Sequence, residues 1–145
     1  MRRVLILIPL VVACSRSPQT QGGAAAAGAM ALTEADLAGT WTGTSMPEGS
    51  DSVVARWTQV CANGACTETL EGTPDTARST YTLSGDSCMG RSAPYVSAVA
   101  GGATVISAWV VRLRDGKAVG TGALTLADKP DSVLMRYHFE GSRVQ

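Results

Sequence analysis

The sequence predicts an all-β fold, an antiparallel up-and-down barrel of about eight strands preceded by a short helical turn and a disordered tether. Three observations carry that expectation. From Thr40 onward apolar and polar residues alternate with period two, turn signals recur about every 8 to 12 residues, and most connections are short enough to pair consecutive strands. Closure into a barrel follows because it removes both exposed edges, and about eight strands just enclose an interior filled by side chains.

The first element is a targeting segment. Arg2 and Arg3 precede an apolar run from Val4 to Val12, which falls short of the ~20 apolar residues of a membrane-spanning helix. The segment Val11-Val12-Ala13-Cys14 resembles the lipobox of bacterial lipoproteins. By that resemblance residues 1–13 are a lipoprotein signal peptide and Cys14 is a lipidated N-terminus, held in the envelope by acyl chains at ~0.8 kcal/mol per buried CH₂. Ser15 in place of an aspartate implies the periplasmic face of the outer membrane. Ordinary secretion with cleavage near Ala13 is the alternative. Residues 14–31 are rich in Gln, Gly, Ala and Ser without apolar periodicity, as expected of a flexible tether with a span of roughly 20 to 25 Å.

The domain, residues 32–145, begins with Thr33-Glu34-Ala35-Asp36, a cap followed by an acid three residues on, and Gly39 stops the helix after about one turn. Strands are then expected near Thr40–Met46, Ser52–Cys61, Cys66–Glu71, Ala77–Ser84, Asp86–Ser92, Ala103–Arg114, Lys117–Ala127 and Asp131–Val144. The connections are Pro47–Ser50, Asn63-Gly64, Gly72–Asp75, Gly85, Pro94–Gly102, Asp115-Gly116 and Lys129-Pro130. Alternation in the last strand places Val133, Met135, Tyr137, Phe139 and, at the barrel end, Arg143 inward, with Ser132, Arg136, His138 and Glu140 outward. Further inward rows are Val105, Trp109, Val111 and Leu113; Ala55 and Trp57; Tyr81 and Leu83.

Composition narrows the partners. Cleavage before Cys14 removes Arg2 and Arg3, leaving ten basic against twelve acidic residues, a net charge of −2. The basic residues are scattered singly, so nothing marks a nucleic-acid surface. With 45% hydrophobic and 17% charged residues and a single Phe, the chain can bury one modest core of Val, Leu and Trp. In Cys61-Ala-Asn-Gly-Ala-Cys66 the Asn63-Gly64 turn sets Cys61 opposite Cys66 at a non-hydrogen-bonded position, within disulfide range. A Cys61–Cys66 bridge is expected, leaving Cys88 as a buried thiol; pairing of Cys88 with either partner is the rival. Three cysteines without paired spacing or a nearby His do not suggest zinc, and no metal is expected.

Gly39-Thr40-Trp41 after a short helical turn is similar to the G-x-W that opens lipocalins and related calycin barrels. In that family an arginine of the last strand packs across the tryptophan, and the resemblance implies that Trp41 and Arg143 close the barrel by a cation–π contact. It further implies a lipocalin-like cavity for a small apolar ligand, lined by Trp57, Tyr81, Trp109, Met135 and Tyr137; those same residues otherwise pack a plain core. The L-x-G-T-W start, Leu37 to Trp41, also resembles avidin-type barrels and several bacterial inhibitor lipoproteins.

Chemistry is scarce in this sequence. His138 is the single histidine and falls on an outward position, and no G-x-S-x-G elbow holds a serine. Glu68, Glu71, Asp75, Asp86, Asp128 and Asp131 lie near turns, where acids cap backbone. Gly120-x-Gly122 reads as a tightly curved strand rather than a phosphate cradle. No enzyme activity and no cofactor is expected. The function expected is that of an envelope-anchored binding module; the alternative is a protein-interaction or inhibitor lipoprotein using the Pro94–Gly102 loop and the Pro47–Ser50 turn.

Overall fold

The structure, a computed structural model, describes residues 30–74 and 76–145. Residues 1–13, expected to be a signal peptide, Cys14 and the expected tether up to residue 29 lie outside the described residues. A four-residue helix, α1 (Glu34–Leu37), leads into β1 (Gly39–Pro47), β2 (Ala55–Ala62), β3 (Ala65–Leu70), β4 (Thr76–Ser84), β5 (Ser87–Ser92), β6 (Tyr95–Ser97), β7 (Ala103–Arg114), β8 (Lys117–Leu126) and β9 (Val133–Arg143). Every ladder is antiparallel; all join sequence neighbours except that β1 pairs with β9 and β5 with β7. The sheet is thus a closed up-and-down barrel of eight strands, with the short β6 added beside the start of β7.

The segment expected as a plain loop at Pro94–Gly102 contains β6. Pro94 has no N–H and interrupts pairing, so β5 and β6 take successive stretches of one flank of β7: Arg91 faces Ala108 and Tyr95 faces Val105. At this break the Ser107 N–H donates to Ser92 Oγ at 2.9 Å, so a side chain replaces the missing ladder partner.

The β2–β3 hairpin follows its sequence closely. Asn63 (φ 53°) and Gly64 (φ 75°) take the left-handed conformation a two-residue turn needs, Ala62 pairs with Ala65, and Cys61 is bonded to Cys66 with 4.1 Å between Cα atoms. Among the described residues Cys88 is the free thiol, and it is fully buried.

The inward rows hold with three corrections. Val133 faces outward and is 44% exposed, because the register slips between Leu124–Met135 and Thr125–Val133; the extra residue, Leu134, is a bulge that flips everything before it. Leu83 is exposed, since its pair with Cys88 lies at the barrel rim near the Gly85 turn. Arg143, expected inward, stays exposed and reaches over the end of the barrel. The apolar core gathers at the end beside α1, where Leu37, Trp41, Cys61, Cys66, Tyr81, Cys88, Val111 and Ala118 are buried together.

Candidate functional site in the barrel interior

The α1 end is shut by a single turn of helix fastened from several sides. Thr33 N and Oγ1 both donate to Asp36 Oδ2, at 2.9 and 2.6 Å, and hold that carboxyl below its ordinary range. Glu34 Oε1 accepts from the Tyr81 hydroxyl at 2.6 Å and from the Gly64 N–H at 3.3 Å. The Tyr81 hydrogen bond lowers the Glu34 carboxyl, and burial together with that bond pushes Tyr81 up to about 12. Trp41 Nε1 donates to Leu37 O at 2.8 Å. The Arg143 guanidinium sits 5.1 Å from the Trp41 ring centroid and donates to the carbonyls of Ala35 (3.2 Å) and Asp36. The Trp41–Arg143 contact is therefore present, with the guanidinium bridging ring and helix end rather than lying inside.

Below this plug the interior is paved with aromatic rings laid on glycines. Gly43 pairs with Trp57 and Gly141, Gly90 with Trp109, Gly120 with Phe139, and Gly122 with both Trp109 and Tyr137. A Cβ on Gly43 would run into the Trp57 ring and the Glu140 carbonyl, and one on Gly120 into the Phe139 ring and the Val110 carbonyl. These glycines are needed for close approach of a ring, not for an unusual backbone angle. Phe139 then meets Trp57 edge-on and Tyr137 at a tilt, both at 6.1 Å between centroids.

Between the rings lies a cavity of about 60 Å³, bordered among others by Trp57, Gln59, Glu68, Trp109, Tyr137 and Phe139. Of the five residues expected to line it, Trp57, Trp109 and Tyr137 do so. Tyr81 instead holds Glu34 at the helix plug, and Met135 pairs with Leu124 toward the opposite end; neither lines the cavity.

Glu68 was expected at a turn, yet it sits mid-strand, facing Gln59 across the β2–β3 ladder and Ala77 on β4. Among the described residues it is the only charged one on the cavity wall. No ion pair reaches it among the described residues, and burial, the sole cause, pushes its carboxyl up to about 7. Glu68 is half-buried, so part of its surface stays accessible. The parity signal was available: Glu68 lies two residues beyond Cys66, on the same face of the strand.

Hydroxyls complete the polar interior. Ser107 Oγ and Tyr137 Oη are 2.6 Å apart, and Ser79, Ser92 and Ser107 are buried. Burial raises both Tyr137 and Tyr95, with Glu68 adding to each; Tyr95 reaches about 12. Both phenols are neutral at any physiological pH.

The groups with nucleophilic or basic potential lie elsewhere. Cys88 is enclosed near the plug, and burial followed by the charge of Glu34 pushes its thiol up to about 12, opposite to the activation a nucleophile needs. His138 pairs with Met46 and Thr121 on the outward side of β9. Among the described residues no three His, Cys, Asp or Glu cluster as metal ligands, and no helix is long and apolar enough to cross a membrane. No family model matches the sequence, and neither a curated protein nor a solved structure matches it significantly.

Proposed function

We propose that this chain is an envelope-anchored, non-enzymatic binding module that holds a small molecule inside its barrel. The observation that carries the reading is the cavity bounded by Trp57, Trp109 and Tyr137, with one unpaired carboxylate, Glu68, on its wall. A volume of about 60 Å³ is far below the ~300 to 1,000 Å³ of sites for drug-sized ligands, so the occupant is a few atoms in size and not a long apolar molecule. The lipocalin-like start at Gly39-Thr40-Trp41 and the Trp41–Arg143 contact accord with a ligand-holding barrel. Anchoring through Cys14, at the periplasmic face of an outer membrane, is part of the same proposal and rests on the lipobox resemblance.

Native mass spectrometry of residues 31–145, secreted into an oxidising periplasm, tests it. A reproducible non-covalent excess over the denatured mass supports interior binding; a bare mass under gentle desolvation counts against it. A second reading, an interaction or inhibitor lipoprotein, is favoured by a different observation. At the end away from α1, Val53, Val54, Val96, Val133 and Leu134 are 40 to 47% exposed, in or beside the β1–β2, β5–β7 and β8–β9 connections. A bare mass together with a stable complex with an envelope protein would support that reading.

A further inference from the structure

We propose that the barrel interior takes a small organic cation, an alkylammonium of about four or five non-hydrogen atoms, with the Glu68 carboxylate as counter-charge and the Trp57, Trp109 and Tyr137 rings as walls. The inference rests on the interior-binding reading and narrows it to one chemical class.

Charge is the first argument. A carboxylate largely withdrawn from water either takes up a proton or meets a positive group, and among the described residues no cation is paired with Glu68. Arg56, Arg78, Arg91, Arg112 and Arg136 are all exposed, and Arg143 is engaged by α1. The groups that face Glu68 from β6 and β9, Tyr95 and Tyr137, are held neutral by burial. Below about pH 7 a proton neutralises Glu68; above it the carboxylate is left without a counter-charge, and that is the charge a ligand supplies.

The walls choose the kind of cation. A metal ion needs several oxygen ligands at once, about six for the common hard cations, whereas this cavity offers one carboxylate, a Gln and scattered hydroxyls among rings. Aromatic faces attract a diffuse organic cation and pack against its methyl groups. Size fits the same class: a cavity of about 60 Å³ has room for roughly four water-sized groups.

Glu68 is the one group at the site that titrates near neutrality, so the test can be read by pH as well as by substitution. The full chain in detergent micelles is titrated with tert-butylammonium chloride and with tert-butanol, its neutral isostere, while the indole N–H signals of Trp57 and Trp109 are followed by NMR. The expected result is saturable binding of the ammonium at pH ~8, at least tenfold weaker binding of the alcohol, and a comparable loss in Glu68→Gln. Lowering the pH to ~5.5 leaves an alkylammonium charged but protonates Glu68, and weakens binding about thirtyfold. The pH arm uses wild-type protein and holds even if Glu68→Gln does not fold. Equal binding of alcohol and ammonium overturns the cation assignment while leaving interior binding in place. Silence from both compounds removes both readings. Ammonium binding that survives Glu68→Gln and low pH also overturns the proposal.

Discussion

Glu68 makes the stability of this barrel depend on pH below neutrality. Its carboxyl is raised to about 7 in the folded chain and returns to its ordinary value near 4.5 when unfolded. Between those values the folded state holds a proton that the unfolded state has released, so stability falls as pH rises from about 4.5 through about 7, by about 3 kcal/mol in all. Glu68→Gln should flatten that dependence and be the more stable chain above pH ~7. Denaturant melts of both proteins across the window check this; identical slopes would show that the carboxylate is solvated. The interior glycines make a second claim at this scale. Gly43→Ala places a methyl group against the Trp57 ring and the Glu140 carbonyl, and overpacking of this kind costs about 1 to 3 kcal/mol. A neutral or stabilising effect by chemical denaturation would show that the ring moves aside freely.

At the scale of elements, the closing contact between α1, β1 and β9 is the part of the fold that depends on fewest residues. Trp41 is 4% exposed, hydrogen-bonded to Leu37 and covered by Arg143, so Trp41→Ala should cost about 3 to 5 kcal/mol. A loss below about 1 kcal/mol would sink the idea that this end holds the barrel shut. The β2–β3 bridge is worth less: the bridge closes a loop of only a few residues, and its removal in Cys61→Ala/Cys66→Ala should cost about 2 kcal/mol by chain entropy. An unchanged denaturation midpoint would mean that the hairpin turn alone fixes the pairing. Strand existence was legible here because period-two alternation and the turns Asn63-Gly64, Gly85 and Asp115-Gly116 act locally. What escaped were departures from regularity: the bulge at Leu134 that turns Val133 outward, and the resumption of pairing in β6 after Pro94. Neither has a local sequence signal, since both are set by the neighbouring strand.

For the whole molecule, closure was readable from strand number and short connections, while the contents of the barrel were not. Alternation tells which residues point inward, and it placed Trp57, Trp109 and Tyr137 correctly. Whether they leave space depends on how rings settle on glycines of adjacent strands, which requires the register. Glu68 was hidden for another reason: a lone acid in a strand flanked by turns looks solvated until its parity with Cys66 is followed around the barrel. Attachment to the envelope is an independent claim about the chain as a whole. Cys14→Ser should release the protein from the membrane fraction and abolish incorporation of labelled fatty acid; retention of both would rule out lipidation at Cys14.

The measurement that bears most directly on the interior site is the titration of the Glu68 side-chain carboxyl by carbon-detected NMR, assigned by comparison with Glu68→Gln. A midpoint near 7 is the expected result, as burial without an internal counter-charge requires. A midpoint near the ordinary 4.5 would contradict it, showing that water reaches Glu68 freely and that the barrel holds no desolvated carboxylate for a ligand to meet.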